Sequence, residues 1–171
     1  DMYDGEGLID KENLKKGVEH ADALVSLLST SVDKDIIDSA DNLKIIANYG
    51  AGFNNIDVEY ARQQNIDVTN TPHASTNATA DLTIGLILSV ARRIVEGDHL
   101  SRTTGFDGWA PLFFRGREVS GKTIGIIGLG EIGGAVAKRA RAFDMDVLYT
   151  GPHRKEEKER DIGAKYVDLD T

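Results

Sequence analysis

Lys122-Thr123-Ile124-Gly125-Ile126-Ile127-Gly128-Leu129-Gly130-Glu131-Ile132-Gly133 decides the fold. Lys122 to Ile127 reads as a β-strand and runs directly into a Gly-x-Gly-x-x-Gly turn. A helix is expected over Ala135 to Phe143, then a second strand over Asp146-Val147-Leu148-Tyr149. The turn alone is a weak signal; flanked by a strand, a helix and a second strand at the right distance, it is specific. Each glycine has a physical reason. Gly128 allows the tight turn, Gly130 lets a pyrophosphate approach the backbone, and Gly133 lets the helix pack close to the sheet. The free N–H groups at the helix start then bind phosphates. On this reading Gly128, Gly130, Glu131, Ile132 and Gly133 hold a dinucleotide. The bland alternative is a glycine-rich βα turn with no ligand.

Upstream the same alternation recurs. Ala23 to Leu28 reads as a buried strand, Lys34 to Ala40 as a short helix with Asp33 as a possible N-cap, and Leu43 to Ala47 as a second strand stopped by Gly50-Ala51-Gly52. Val58 to Gln64 looks helical, and Ile66 to Thr69 is a third strand before Thr71-Pro72. Strands alternating with helices predict an α/β protein with parallel sheets. Thr76 to about Leu100 is expected to be one long helix. Leu82, Leu86, Ile87, Val90, Ala91 and Ile94 recur on one face, Thr76 or Asn77 caps it, and Asp81 sits early enough to favour the helix dipole. Its stretch Leu82 to Ala91 is apolar nearly all round, which calls for burial between layers, domains or subunits. Residues 101–120, with Trp109 and three phenylalanines, read as an ordered connector. Lys165-Tyr166-Val167 is a weak further strand.

Composition bounds the function. The 171 residues are 40% hydrophobic and 28% charged, which suits a globular protein with a core. A net charge of −8 argues against nucleic acid as the main partner. The chain has no cysteine, so it has neither disulfides nor thiolate chemistry, and this permits a reducing, cytoplasmic setting. No apolar run is long enough for a membrane helix, and no acidic or histidine cluster has metal-ligand spacing.

Three blocks, in order and correctly spaced, resemble the D-isomer-specific 2-hydroxyacid dehydrogenases. The first is Asn48-Tyr49-Gly50-Ala51-Gly52-Phe53-Asn54-Asn55-Ile56-Asp57, similar to their substrate loop. The second is Asn70-Thr71-Pro72 with Ala78-Thr79-Ala80-Asp81-Leu82. The third is the glycine block from Gly121 to Gly133. Gly108-Trp109-Ala110-Pro111-Leu112 further resembles the glyoxylate/hydroxypyruvate reductase branch. The resemblance implies two Rossmann-like parallel-sheet domains, one flavodoxin-like and one NAD(P)-binding, with the active site between them. Both are expected to be incomplete here: residues 1–75 form part of the substrate domain, and 76–171 the linking helix and first half of the NAD(P)-binding domain. It implies that backbone N–H groups near Ala51 and Gly52 hold a substrate carboxylate, where spacing alone leaves this even with a plain βα turn. Thr79 would lie near the cofactor, or else serve only as a first-turn residue. Trp109 would reach a neighbouring subunit's active site, or else fill the hinge.

The function so implied is hydride transfer between NAD(P)H and a small 2-oxo acid such as glyoxylate or hydroxypyruvate, in a homodimer. A non-catalytic NAD(H)-sensing corepressor of the same fold is the alternative. The family's catalytic Arg, Glu and His are expected beyond Thr171. None of His20, His73, His99 and His153 suits proton transfer, and Arg92, Arg93, Arg115 and Arg117 read as surface or interface cations. For the cofactor, NADP is favoured over NAD. NAD-preferring relatives carry an Asp where Gly151 stands, and an NAD-specific site needs that carboxylate for the ribose hydroxyls. Arg154 could then pair with a 2′-phosphate, helped by Thr150 or His153. The competing reading makes Arg154 to Arg160 a solvated mixed-charge helix.

Overall fold

The computed structural model describes residues 2–170, and the chain divides into two compact units, Asp1–Ala74 and Ser75–Thr171. In the first unit the order is α1 (Lys11–Val18), β1 (Ala23–Leu27), α2 (Lys34–Asp38), β2 (Ile45–Tyr49), α3 (Val58–Gln63) and β3 (Asp67–Thr69). The three strands form a parallel sheet in the order β1-β2-β3, with Ala23 opposite Ile45 and Ile45 opposite Asp67. Right-handed crossovers stepping in one direction place their helices on one face. The core is Leu14 and Val18 of α1, Val32, Ile36, Ile37 and Ile46, with Ala61 of α3. Asp10, Asp33 and Asp57 each cap a helix by accepting a backbone N–H three residues on.

One expectation fails in this sheet. Ala23 to Leu28 is no buried strand: Val25 is 74% exposed, and Leu27, Leu28 and Tyr49 are exposed too. A parallel sheet buries both faces only where helices cover both, and an apolar run does not tell which face is covered.

The second unit holds α4 (Thr76–Ala91), α5 (Ile94–Arg102), β4 (Thr123–Ile127), α6 (Glu131–Arg141), β5 (Asp146–Thr150), α7 (Glu156–Ile162) and β6 (Ala164–Tyr166). Its sheet is again parallel, in the order β4-β5-β6. That is the strand order of one half of a doubly wound dinucleotide fold. Leu129, Ala137, Ala140, Met145, Val147, Tyr149 and Ile162 form the core. α4 lies on α6, and Arg139 of α6 bonds Asp81 of α4 at 2.6 Å.

The long helix proves to be two. It breaks at Arg92-Arg93, where Arg93 turns left-handed at φ 56°. The returning connector causes this: the Arg117 N–H donates to the Ala91 carbonyl at 2.6 Å, taking an acceptor the helix would otherwise use. A side chain at Gly116 would clash with that same carbonyl. The Arg93 guanidinium pairs with Glu96 and lies 4.2 Å over the Phe114 ring. The N-cap is Ser75 rather than Thr76 or Asn77, and no side chain caps it. Asp81 is the sixth helical residue, past the first turn where the dipole acts, and serves Arg139 instead. Of α4 only Ala80 is buried, so the apolar stretch of Leu82, Leu86 and Val90 is open in the single chain.

Ile46 is 0% exposed at the centre of the first core. Ile46→Ala is expected to cost about 2–5 kcal/mol, the usual range for a core truncation to Ala that leaves a cavity. Urea unfolding of the variant against the parent checks it.

Candidate functional site

Two turns at the C-terminal ends of parallel strands carry the candidate chemistry, one in each unit. In the second unit β4 ends at Ile127 and the chain turns at Gly128, whose φ of 94° favours glycine. The Gly128 N–H donates to the Thr150 carbonyl at 2.8 Å, which ties the turn to the end of β5. A Cβ on Gly133 would collide with the Gly128 carbonyl, whereas a Cβ on Gly130 would meet nothing within 4 Å. The first glycine contact is the close helix–strand packing; the second position is open space, where a pyrophosphate needs it. α6 begins at Glu131, four residues earlier than the sequence suggests, with Gly130 as its N-cap, a residue with no side chain to bond the amides of Ile132 and Gly133. Uncapped amides and the helix dipole together suit an anionic group. These residues fit a dinucleotide phosphate.

Thr83 and Ile87 of α4, with Ile124 to Gly128, Ile132, Gly133 and Val136, line an open groove of about 450 Å³ beside this turn. Thr79 lies one helical turn before Thr83, whose hydroxyl bonds the Thr79 carbonyl at 2.7 Å. Thr150 and Gly151 join the same end of the sheet, and the Tyr166 hydroxyl donates to the Gly151 carbonyl. Trp109 is 83% exposed.

Two residues that the sequence reading overlooked shape this end. Lys158 of α7 reaches the Gly130 carbonyl at 3.1 Å and the Glu131 carboxylate at 2.8 Å, which sets an ion pair beside the phosphate turn. Glu159 holds Arg154 in a two-pronged pair, at 2.8 and 2.9 Å. Its carboxylate also accepts from the Tyr149 hydroxyl at 2.6 Å, and that hydroxyl accepts the Lys155 N–H. Arg154 is therefore no free cation awaiting a phosphate. α7 is the mixed-charge helix of the competing reading, but two of its residues point back to the site. Spacing could have signalled this, since Arg154 and Glu159 lie five residues apart across a helix start.

In the first unit β2 ends at Tyr49, and Gly50-Ala51-Gly52 follows. A side chain at Gly50 would press on the end of the exposed Leu28 side chain, which would have to swing aside, and Gly50 has no positive φ. Beneath the turn lies Asn48, 2% exposed. Its Oδ1 accepts from Ser26 Oγ at 2.9 Å, and its Nδ2 donates to the Gly52 carbonyl at 2.7 Å. The amides of Asn48 and Asn55 also pair, both contacts at 3.2 Å, and Asn55 Nδ2 bonds the Leu27 and Thr30 carbonyls. No buried side-chain polar atom among the described residues is left unbonded. Sequence reading quoted Asn48 and Asn55 only as letters of a motif; a polar residue at a strand end facing a glycine turn was the available signal.

Among the described residues no helix is long and apolar enough to cross a membrane, and no group of three His, Asp or Glu could hold a metal. Arg154 and the Tyr149 hydroxyl pull the Glu159 carboxyl from an ordinary 4.5 down to about 2. A depressed carboxyl contributes stability above its unfolded value and loses it as pH falls toward the folded one. Glu159→Gln is therefore expected to lower the urea midpoint at pH 7, with the gap to the parent closing between pH about 4.5 and about 2. Parallel unfolding curves at pH 7 and pH 3 check it.

A family model described as the D-isomer specific 2-hydroxyacid dehydrogenase catalytic domain matches residues 2–162. A Staphylococcus epidermidis protein named "Putative 2-hydroxyacid dehydrogenase" is 99% identical over all 171 residues, which make up 54% of its length. The chain thus spans about half the length of the curated relatives it matches. The crystal structure of the TT0316 protein from Thermus thermophilus superposes with a TM-score of 0.86 at 40% identity, over 95% of this chain and 51% of that one. D-lactate dehydrogenase from Aquifex aeolicus, complexed with NAD and lactic acid, gives 0.79 at 25% identity, over 91% of this chain and 46% of that one. A glyoxylate reductase from Paecilomyes thermophila gives 0.76 at 35%, over 93% and 49%. With the two parallel sheets and the uncapped glycine turn already in place, the match across nearly the whole chain shows that it belongs to the D-isomer specific 2-hydroxyacid dehydrogenase family.

Proposed function

We propose that the full-length protein moves hydride between NAD(P)H and C2 of a small 2-oxo acid, yielding the D-2-hydroxy acid. One observation carries the reading: two separate glycine turns sit at the C-terminal ends of parallel strands, one with the Ala51, Gly52 and Phe53 N–H groups open and the other starting a helix whose N-cap has no side chain. The turn at Gly128 to Gly133 holds the pyrophosphate, beside the Lys158–Glu131 ion pair. The turn at Ala51 and Gly52 holds the substrate carboxylate. The reduced nicotinamide supplies the hydride, and the proton comes from a part of the protein beyond residue 171. Glyoxylate and hydroxypyruvate are the proposed substrates, supported by the likeness to a glyoxylate reductase and by the Trp109 connector. The open apolar side chains Leu82, Leu86, Val90, Ile94 and Val95, with Trp109, favour a homodimer that covers them.

NADPH is the favoured cofactor, because Gly151 offers no carboxylate to repel a 2′-phosphate. Glu159 tempers this: a phosphate at Arg154 must share the guanidinium with a carboxylate already bonded to it. Full-length protein assayed with glyoxylate, hydroxypyruvate and pyruvate is expected to oxidise NADPH in preference to NADH; no turnover with any of them sinks the activity. Arg154→Ala is expected to lower the NADPH-to-NADH ratio of kcat/KM by about tenfold, the worth of one charge-assisted contact, and Glu159→Gln to raise it. Sedimentation at micromolar concentration is expected to show a dimer, and a monomer rules that assembly out.

A further inference from the structure

We infer that Asn70 and Asn48 are positioning residues that aim the amides of the Gly50–Phe53 turn at the substrate carboxylate. The inference rests on the reading of that turn as the carboxylate site. Three successive carbonyls are tied down. The Gly50 carbonyl accepts the Thr71 N–H at 2.9 Å, the Ala51 carbonyl accepts Asn70 Nδ2 at 2.8 Å, and the Gly52 carbonyl accepts Asn48 Nδ2 at 2.7 Å. Every peptide bond here is trans. In a planar trans peptide the N–H of one residue points opposite the C=O of the residue before it. Fixing the carbonyls of Gly50, Ala51 and Gly52 therefore fixes the N–H groups of Ala51, Gly52 and Phe53.

The directions matter. The carbonyls of Gly50 and Ala51 both turn toward residues 70 and 71, so the Ala51 and Gly52 N–H groups both leave the turn on the opposite side. Two neighbouring amides aimed the same way form an anion nest. The Gly52 carbonyl turns inward to buried Asn48, so the Phe53 N–H faces out from the sheet. No atom among the described residues accepts from any of these three N–H groups. The Gly50 N–H is taken by the Asn48 carbonyl at 2.9 Å, but a turn whose Gly50, Ala51 and Gly52 carbonyls are bonded and whose next three N–H groups are open is held ready for an acceptor-only ligand such as a carboxylate.

Asn48 is locked by Ser26 and Asn55, so its replacement would disturb the fold. Asn70 is the better probe, since its side chain reaches only one carbonyl and lies near the surface. In Asn70→Ala and the near-isosteric Asn70→Asp, the Ala51 carbonyl loses its donor. The full-length enzyme would be assayed with its best 2-oxo acid and with the uncharged amide of that acid, and cofactor affinity followed by nicotinamide fluorescence.

Both variants are expected to raise KM for the acid by about tenfold with kcat nearly unchanged, the signature of lost ground-state binding. The preference for acid over amide falls by a similar factor, and cofactor affinity stays constant. Wild type that takes the amide as well as the acid overturns the carboxylate reading itself. Wild type that discriminates, beside variants that discriminate equally, overturns only the role of Asn70. Variants that lose cofactor binding, or yield no folded protein by thermal unfolding, overturn it too, because Asn70 would then be structural.

Discussion

The hydrogen bond from Gly128 N–H to the Thr150 carbonyl, 2.8 Å long, continues the β4–β5 ladder one residue past its last strand pair, Ile127 opposite Thr150. It expresses the constraint on which the rest depends. Parallel pairing brings every strand to its C-terminal end at the same edge, so whatever follows the strands must gather there. Gly128, Gly151 and the start of α6 therefore meet without any side chain specifying that they should. The same rule acts in the first unit, where Val25 stands opposite Ala47 and Leu27 opposite Tyr49. There it brings the turn after β2 beside residues 70 and 71, which follow β3. Sheet direction alone decides where the polar groups collect; the residues in the turns decide what they can bind.

This division explains what the sequence disclosed. Every strand proposed from the alternation of apolar runs exists, including the weak one near Lys165, and the Asp33 cap forms as expected. Those features rest on local patterns: side-chain period, turn chemistry and capping. The break between α4 and α5 was not legible, because it is made by a partner 25 residues away. Nothing in Arg92-Arg93 forbids a helix until Arg117 takes the Ala91 carbonyl. The exposure of Val25 was equally hidden, since an apolar run reports that a side chain wants cover and not what covers it.

The candidate site divides in the same way. Two of its glycines were readable because each answers a backbone demand that almost no other residue meets, a positive φ at Gly128 and a close approach at Gly133, while Gly130 faces open space. Its polar side chains were not. Arg154 has the chemistry of a phosphate ligand, but its charge is already committed to Glu159, with the Tyr149 hydroxyl bonded to the same carboxylate. Whether a charged residue is available depends on who else is within reach, and composition carries no such information.

The two turns solve one problem by different means. Binding an anion with backbone amides requires that the carbonyls of the same segment be turned away and satisfied, or they would repel it. At Glu131 a helix does this automatically: each carbonyl faces down the axis to its own partner, and the leading amides are left over. The turn after β2 has no helix to help it, since α3 starts only at Val58. Its carbonyls must be bonded one at a time, by a backbone N–H from residue 71 and by the amide groups of Asn70 and Asn48. A side-chain amide suits that task because its Nδ2 donates to a carbonyl while its Oδ1 accepts from a second partner, as Asn48 does with Gly52 and Ser26. That explains why this turn rests on a largely buried polar network of Asn48, Asn55 and Ser26, while at the helix start one exposed side chain, Lys158, reaches the Gly130 carbonyl.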